Sequence, residues 1–148
     1  WAASWTTLGE KDREATLRIC PTSERPGYDP SRAFNMEFRA ADATASPHLA
    51  LAMLIRAGIE GVKAGLETPP IVRGDPEEMS AGERAQLGIR RLPTSLPEAL
   101  EALEGDAVVC GWLPPTFLEC WKGMRLKEME IVAGLDDAAL CQRYAKVY

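Results

Sequence analysis

At Ser46-Pro47 the hydrophobic period of the chain changes, and that change limits the folds open to it more than any other feature. Upstream, apolar residues recur at every second position in two short stretches. Downstream they run with almost no polar face through PHLALAMLIRAGIEGVKAGL, Pro47 to Leu66. A period of two belongs to a half-buried strand; a long apolar run with a proper start belongs to a helix. Ser46 suits the N-cap and Pro47 the first helical position. Gly58 and Gly61 each cost about 1 kcal/mol against alanine inside a helix. Close packing against another backbone would explain them, and Gly65 would end the helix. With no charged residue before Arg56, the helix is expected to be buried nearly all round.

The two upstream stretches are EATLRIC, Glu14 to Cys20, and NMEFR, Asn35 to Arg39. In the first, Ala15, Leu17 and Ile19 point one way and Thr16 and Arg18 the other. In the second, Met36 and Phe38 point inward, with Asn35, Glu37 and Arg39 opposite. Between them PTSERPGYDPSRA reads as a loop on its prolines and glycine, which makes an antiparallel pair of strands the expected arrangement. Past the helix, ETPPIVRGDPEEMSAGERAQLGIRR reads as an exposed excursion. TSLPEALEALEGD then carries a capping box at Ser95 and Glu98, with Leu96, Ala99, Leu100 and Leu103 as its apolar stripe. The short segment DAVVCGWLPP leads to a helix near Thr116 to Val132, and a final helix spans Asp136 to Val147. The fold class is α+β: a small antiparallel sheet element followed by several helices.

Bulk properties narrow the function classes. A chain of 148 residues holds one domain with a core, and 46% apolar with 26% charged residues is ordinary for a globular protein. A net charge of -5 argues against nucleic acid or an anionic membrane surface as partner. No apolar run reaches the ~18 residues of a membrane span, and WAASWTTLGEKDRE has no signal-peptide character. Cys20, Cys110, Cys120 and Cys141 form no CxxC pair and have no histidine nearby, so they read as buried, reduced thiols of a cytoplasmic protein. The first residue is Trp1, not Met, which suggests numbering that begins inside a longer chain.

If the two strands pair, Arg18 shares a sheet face with Glu37 and Arg39, and Arg13 lies just before the first strand. One reading is a solvated face, where cross-strand charge pairs add about 0.2–1 kcal/mol each. The other is a pocket. Arginine clamps phosphate and carboxylate oxygens with a planar fork of donors, and a carboxylate among arginines suits a divalent cation carrying nucleotide phosphates. That combination serves phosphoryl transfer, where positioning and charge neutralisation do most of the catalysis. No Walker or GxGxxG motif is present. His48, at the start of the helix, reads as structural, and Trp112 and Trp121 as core or interface aromatics.

At these residues the sequence resembles the glutamine synthetase family, near the C-terminal end of its catalytic domain. The family's Asn-Arg, Arg-Ile-Pro and Glu-x-Arg steps are met by Asp12-Arg13, by Arg18-Ile19-Cys20-Pro21 and by Glu37-Phe38-Arg39. Asp42 follows, and Ser46-Pro47-His48-Leu49 stands where Asn-Pro-Tyr-Leu is usual. The helix continues as Ala57-Gly58-Ile59-Glu60-Gly61-Val62, and LPTSLPEALEAL is similar to the family's next segment.

The resemblance implies that residues 1–148 are a C-terminal portion of a glutamine synthetase-type catalytic barrel, part of a longer chain. It implies an ATP-dependent ligase that activates glutamate, or a similar acid, as an acyl phosphate and joins it to ammonia or an amine in nitrogen metabolism. Glu37 would ligate Mg²⁺ or Mn²⁺, Arg13 and Arg18 would contact the phosphates of ATP, and Arg13 and Arg39 would take part in catalysis, Arg39 by holding the substrate carboxylate. The intact protein would be a homo-oligomer. These residues form one wall of the site and are expected to be inactive alone, with uncovered apolar sheet edges and helix faces. Asp12 in place of Asn, Asn35 in place of Arg and the lack of a tyrosine between Tyr28 and Tyr144 point away from the housekeeping enzyme. They favour a paralogue using another amine; the alternative is a non-catalytic scaffold or interaction module.

Overall fold

The computed structural model describes residues 3–23 and 25–147, which divide into two compact units, Trp1–Leu92 and Pro93–Tyr148. In the first unit three short strands form one sheet: β1 (Leu8–Glu10), β2 (Leu17–Ile19) and β3 (Met36–Phe38), in that order. β2 and β3 are antiparallel, with Leu17 opposite Phe38, Arg18 opposite Glu37 and Ile19 opposite Met36. The expected pairing therefore forms. β1, which the sequence reading left out, lies parallel to β2 with Gly9 opposite Arg18, so the sheet is mixed. Three residues with a central glycine are too short to display a period.

The outer edge of β1 is covered by the segment expected to be an exposed excursion. Val72 donates its N–H to the Leu8 carbonyl at 2.8 Å, Thr6 donates to Arg90 at 2.8 Å, and Leu92 donates to Ser4 at 2.9 Å. Pairing of this kind satisfies groups that an open sheet edge would leave to water. Leu8, Ala15, Val72 and Ile89 are the buried apolar residues of this unit, beside buried Thr7 and Thr16. The same segment contains α2 (Ala81–Gln86), preceded by a complete capping box. Ser80 Oγ accepts from Glu83 N–H at 3.2 Å, and Glu83 Oε2 accepts from Ser80 N–H at 2.7 Å.

α1 runs Pro47–Lys63, with Ser46 as N-cap residue and Pro47 first in the helix; the Ser46 side chain makes no capping bond. Gly65, at φ 61°, closes it in the left-handed region that suits glycine. The expectation of burial on all sides is corrected: no residue of α1 is buried, and Leu51, Ile55 and Val62 are 59%, 54% and 83% exposed. Met36 and Phe38, expected to face inward, are likewise exposed. Apolarity fixes what a surface favours, and among the described residues nothing covers these surfaces fully.

The second unit is helical: α3 (Leu96–Glu104), α4 (Ala107–Cys110), α5 (Pro115–Val132) and α6 (Asp137–Tyr144). At α3, Ser95 Oγ accepts from Glu98 N–H at 3.4 Å, and the Glu98 carboxylate accepts from Thr94 N–H at 2.8 Å. Leu100 is its buried residue. Asp106 and Asp136 cap α4 and α6, and Lys122 of α5 pairs with Glu104. Trp121 is half-buried, its ring 5.6 Å from the Arg125 guanidinium carbon. The cysteines are free thiols, but Cys120 and Cys141 are exposed and Cys20 and Cys110 half-buried, so the expected burial is corrected. Among the described residues no helix is long and apolar enough to cross a membrane.

Candidate functional site

Strand register decides which side chains meet. Gly9, Arg18 and Glu37 stand in one row across β1, β2 and β3. One sheet face thus carries, in order, a position without a side chain, a guanidinium and a carboxylate. Arg39, two residues past Glu37, belongs to the same face. Arg18 Nη1 donates to Glu37 Oε2 at 3.0 Å and Arg39 Nη1 donates to Oε1 at 2.6 Å. Each carboxylate oxygen therefore holds one guanidinium. The hydrogen bond from Arg18 is the main cause that keeps the Glu37 carboxyl below its ordinary value; desolvation opposes it, and the charge of Arg39 adds to the lowering.

The loop between β1 and β2 supplies further contacts. Arg39 Nε donates to the Arg13 carbonyl at 2.7 Å, and Arg18 Nη2 reaches the Lys11 carbonyl at 3.4 Å. The Arg18 side chain is only 14% exposed. Its Nε is buried and has no hydrogen-bond partner among the described residues. A buried donor left unpaired is costly, and an anionic oxygen supplied from outside would satisfy it.

The four residues singled out in the sequence are thus placed unequally. Arg18, Glu37 and Arg39 converge. Arg13 joins through its carbonyl, while its residue is exposed and its guanidinium makes no hydrogen bond or ion pair among the described residues. Asn35 accepts at its carbonyl from Cys20 N–H at 3.1 Å, and its side-chain Nδ2 donates to the Ala33 carbonyl at 2.9 Å. Asp42 Oδ1 accepts from Thr44 N–H at 2.6 Å in the turn before α1. Its carboxyl is lowered chiefly by the Thr44 hydroxyl. His48 is exposed in the first turn of α1.

Three participants escaped the sequence reading. Cys20 places its Sγ 4.0 Å from Glu37 Oε2. Lys11 acts through its carbonyl, which no residue type signals. Gly9 had a readable cue, because glycine inside a strand marks a close backbone approach.

Chemically, the cluster is a cationic wall with one acid at its centre. The arginines fit phosphate or carboxylate oxygens. The acid fits a divalent cation only as a single ligand: such ions take six or more oxygens, and no group of three or more His, Cys, Asp or Glu side chains among the described residues could hold a metal ion.

Residues 1–140 match the family described as "Glutamine synthetase, catalytic domain". Over all 148 residues the chain is 36% identical to the gamma-glutamylpolyamine synthetase GlnA3 of Streptomyces coelicolor, of which it covers 31%. It is 39% identical over 108 residues to the glutamine synthetase of Pyrococcus abyssi, which takes in 73% of this chain and 23% of that protein. A crystal structure described as a novel glutamine synthase homolog superposes on the whole chain with a TM-score of 0.78 at 37% identity, 31% of that chain being covered. The chain thus spans a third or less of these relatives. A match running through the strands, α1 and the helices beyond them, at such identity, makes this chain a member of the glutamine synthetase family.

Proposed function

We propose that residues 1–148 are a C-terminal portion of the catalytic domain of an ATP-dependent carboxylate–amine ligase and form the arginine wall of its site. The observation that carries this reading is the convergence of Arg18 and Arg39 on Glu37, with a buried Arg18 N–H left without an acceptor. Arg13 and Arg18 receive the phosphate oxygens of ATP. Arg39 holds the carboxylate of glutamate, or of a similar acid, as its oxygen takes the phosphoryl group. Glu37 would give one ligand to a Mg²⁺ or Mn²⁺ ion, whose remaining ligands would have to come from elsewhere, because no group of three or more His, Cys, Asp or Glu side chains among the described residues could hold it. When bound, that ion neutralises phosphate charge. The acyl phosphate is then attacked by an amine.

The Streptomyces relative's name and the match to it over all 148 residues of this chain favour an acceptor larger than ammonia, a polyamine. The departures at Asp12 and Asn35 agree with a member removed from the housekeeping enzyme. The test is ADP release dependent on glutamate and amine, with putrescine and ammonia compared, in a protein of the relatives' length carrying these residues. Glu37→Ala there abolishes turnover; unchanged turnover removes Glu37 from the site. The 148 residues alone release no ADP, because one carboxylate cannot hold the metal, and glutamate-dependent release by them would refute this division of the site.

A further inference from the structure

Parallel neighbours in a sheet are normally joined by about a dozen residues or more. β1 and β2 are joined by residues 11–16 alone, so the chain must return across the face of the sheet. Lys11 makes the turn at φ 60°, and its N–H donates to the Ile19 carbonyl at 2.9 Å. Asp12 Oδ1 accepts from Glu14 N–H at 2.9 Å and braces the loop from within. The loop lies directly over Gly9. A Cβ at that position would stand 2.7 Å from the Ala15 Cβ and 2.9 Å from the Asp12 Cβ. Those atoms are attached to the backbone, so any side chain at position 9 displaces the loop.

From this position the loop meets both arginines. The Lys11 carbonyl faces Arg18 Nη2, and the Arg13 carbonyl accepts from Arg39 Nε. A guanidinium held by one carboxylate oxygen can pivot about that contact; a second contact from fixed backbone removes the freedom. We propose that Gly9 and Asp12 are positioning residues, which seat the loop so that its two carbonyls fix the guanidiniums of Arg18 and Arg39 on either side of Glu37. The consequence for oxyanion binding rests on the ligase reading above; the positioning itself does not.

The experiment follows the Arg39 Nε–H resonance in the ¹⁵N-labelled 148-residue chain, assigned by its loss in Arg39→Lys. In the native chain this proton exchanges slowly with water. Gly9→Ala raises its exchange rate about tenfold or more, as expected for loss of a hydrogen bond to a charged group. Asp12→Ala, a milder change on the loop, also raises it, and Asp12→Asn restores it because the amide oxygen still accepts from Glu14 N–H. Unchanged exchange in Gly9→Ala, or equal effects of Asp12→Ala and Asp12→Asn, would overturn the proposal, whereas a merely structural role would lower stability without this pattern. Titration with inorganic triphosphate separates the two readings. Failure of the Arg18 and Arg39 signals to shift would defeat the phosphate role and leave the positioning intact.

Discussion

Trp5 is the clasp that holds residues 71–92 against the strand layer, and its removal gives a calculable test. Its ring lies 4.6 Å from the Arg84 guanidinium carbon and 5.4 Å from that of Arg91. Its Nε1–H donates to Glu77 Oε1 at 3.0 Å, and Arg91 bridges the same carboxylate at 3.3 Å. Two cation–π contacts at partly exposed sites contribute about 0.5–1 kcal/mol each. The indole hydrogen bond adds about 1 kcal/mol. The half-buried ring removes on the order of 100 Å² from water, or about 2.5 kcal/mol. Trp5→Ala should therefore cost about 3–4 kcal/mol after overlap between these contributions, and Trp5→Phe about 1 kcal/mol, because phenylalanine keeps the ring face. Urea unfolding followed by near-ultraviolet circular dichroism measures both. Amide exchange localises the effect, since the N–H groups of Thr6, Val72 and Leu92 all bond across this junction. If Trp5→Ala leaves those amides as protected as before, the clasp is not what holds the segment, and the reasoning fails.

Three further outcomes follow from the same structure. The Glu37 carboxyl is lowered in the fold, so the unfolded chain binds more protons there, and the stability it contributes is present above the ordinary glutamate value and lost as pH falls through the depressed one. Between about pH 5 and pH 3 the native chain should lose stability more steeply than Glu37→Gln; parallel curves would show that the arginine pair does not act on the carboxylate. Ser80→Ala should cost about 1 kcal/mol by removing the acceptor at the start of α2, with faster exchange at Glu83 N–H and no change at α5 amides. The apolar residues exposed on α1 should drive self-association. Sedimentation velocity should show the native chain shifting to larger species with concentration and Ile55→Lys remaining small, while a monomeric native chain at high concentration would contradict this.

Legibility in the sequence followed the length of each signal. α1 and α5 were readable because segments of that length average out single exceptions. The Ser46-Pro47 start and the Gly65 stop carried their own stereochemistry. β2 and β3 were readable as a pair, and the period of two placed Arg18, Glu37 and Arg39 on one face, where the structure has them. β1 was not, because Leu8-Gly9-Glu10 has no room for a pattern. α2 was obscured by Pro76, Gly82 and Gly88, although its Ser80 to Glu83 spacing was a capping signal in plain view. The carbonyls of Lys11 and Arg13 left no trace, since every residue has one.

The two faces of the sheet depart from the arrangement of a free-standing antiparallel layer, where the apolar side is inside and the charged side meets water. Here the charged side is partly sheltered too: the side chains of Arg18 and Arg39 are 14% and 23% exposed, and that of Glu37 is 40% exposed. On the other side exposure rises across the strands, from 5% at Leu8 in β1 to 39% at Phe38 and 46% at Met36 in β3. Leu51, Ile55, Ile59 and Val62 of α1 are exposed as well. Fully covering one such side chain is worth about 1.5–3 kcal/mol, so covering several rivals the whole stability of a typical domain, about 5–15 kcal/mol. A surface of that strength has its use in being covered. In the proposed ligase, further chain would cover the apolar side and leave the arginine side to the substrates. The sheltering of Arg18 is then part of the site's preparation, because guanidiniums already withdrawn from water and held by fixed acceptors need little reorganisation when an oxyanion arrives.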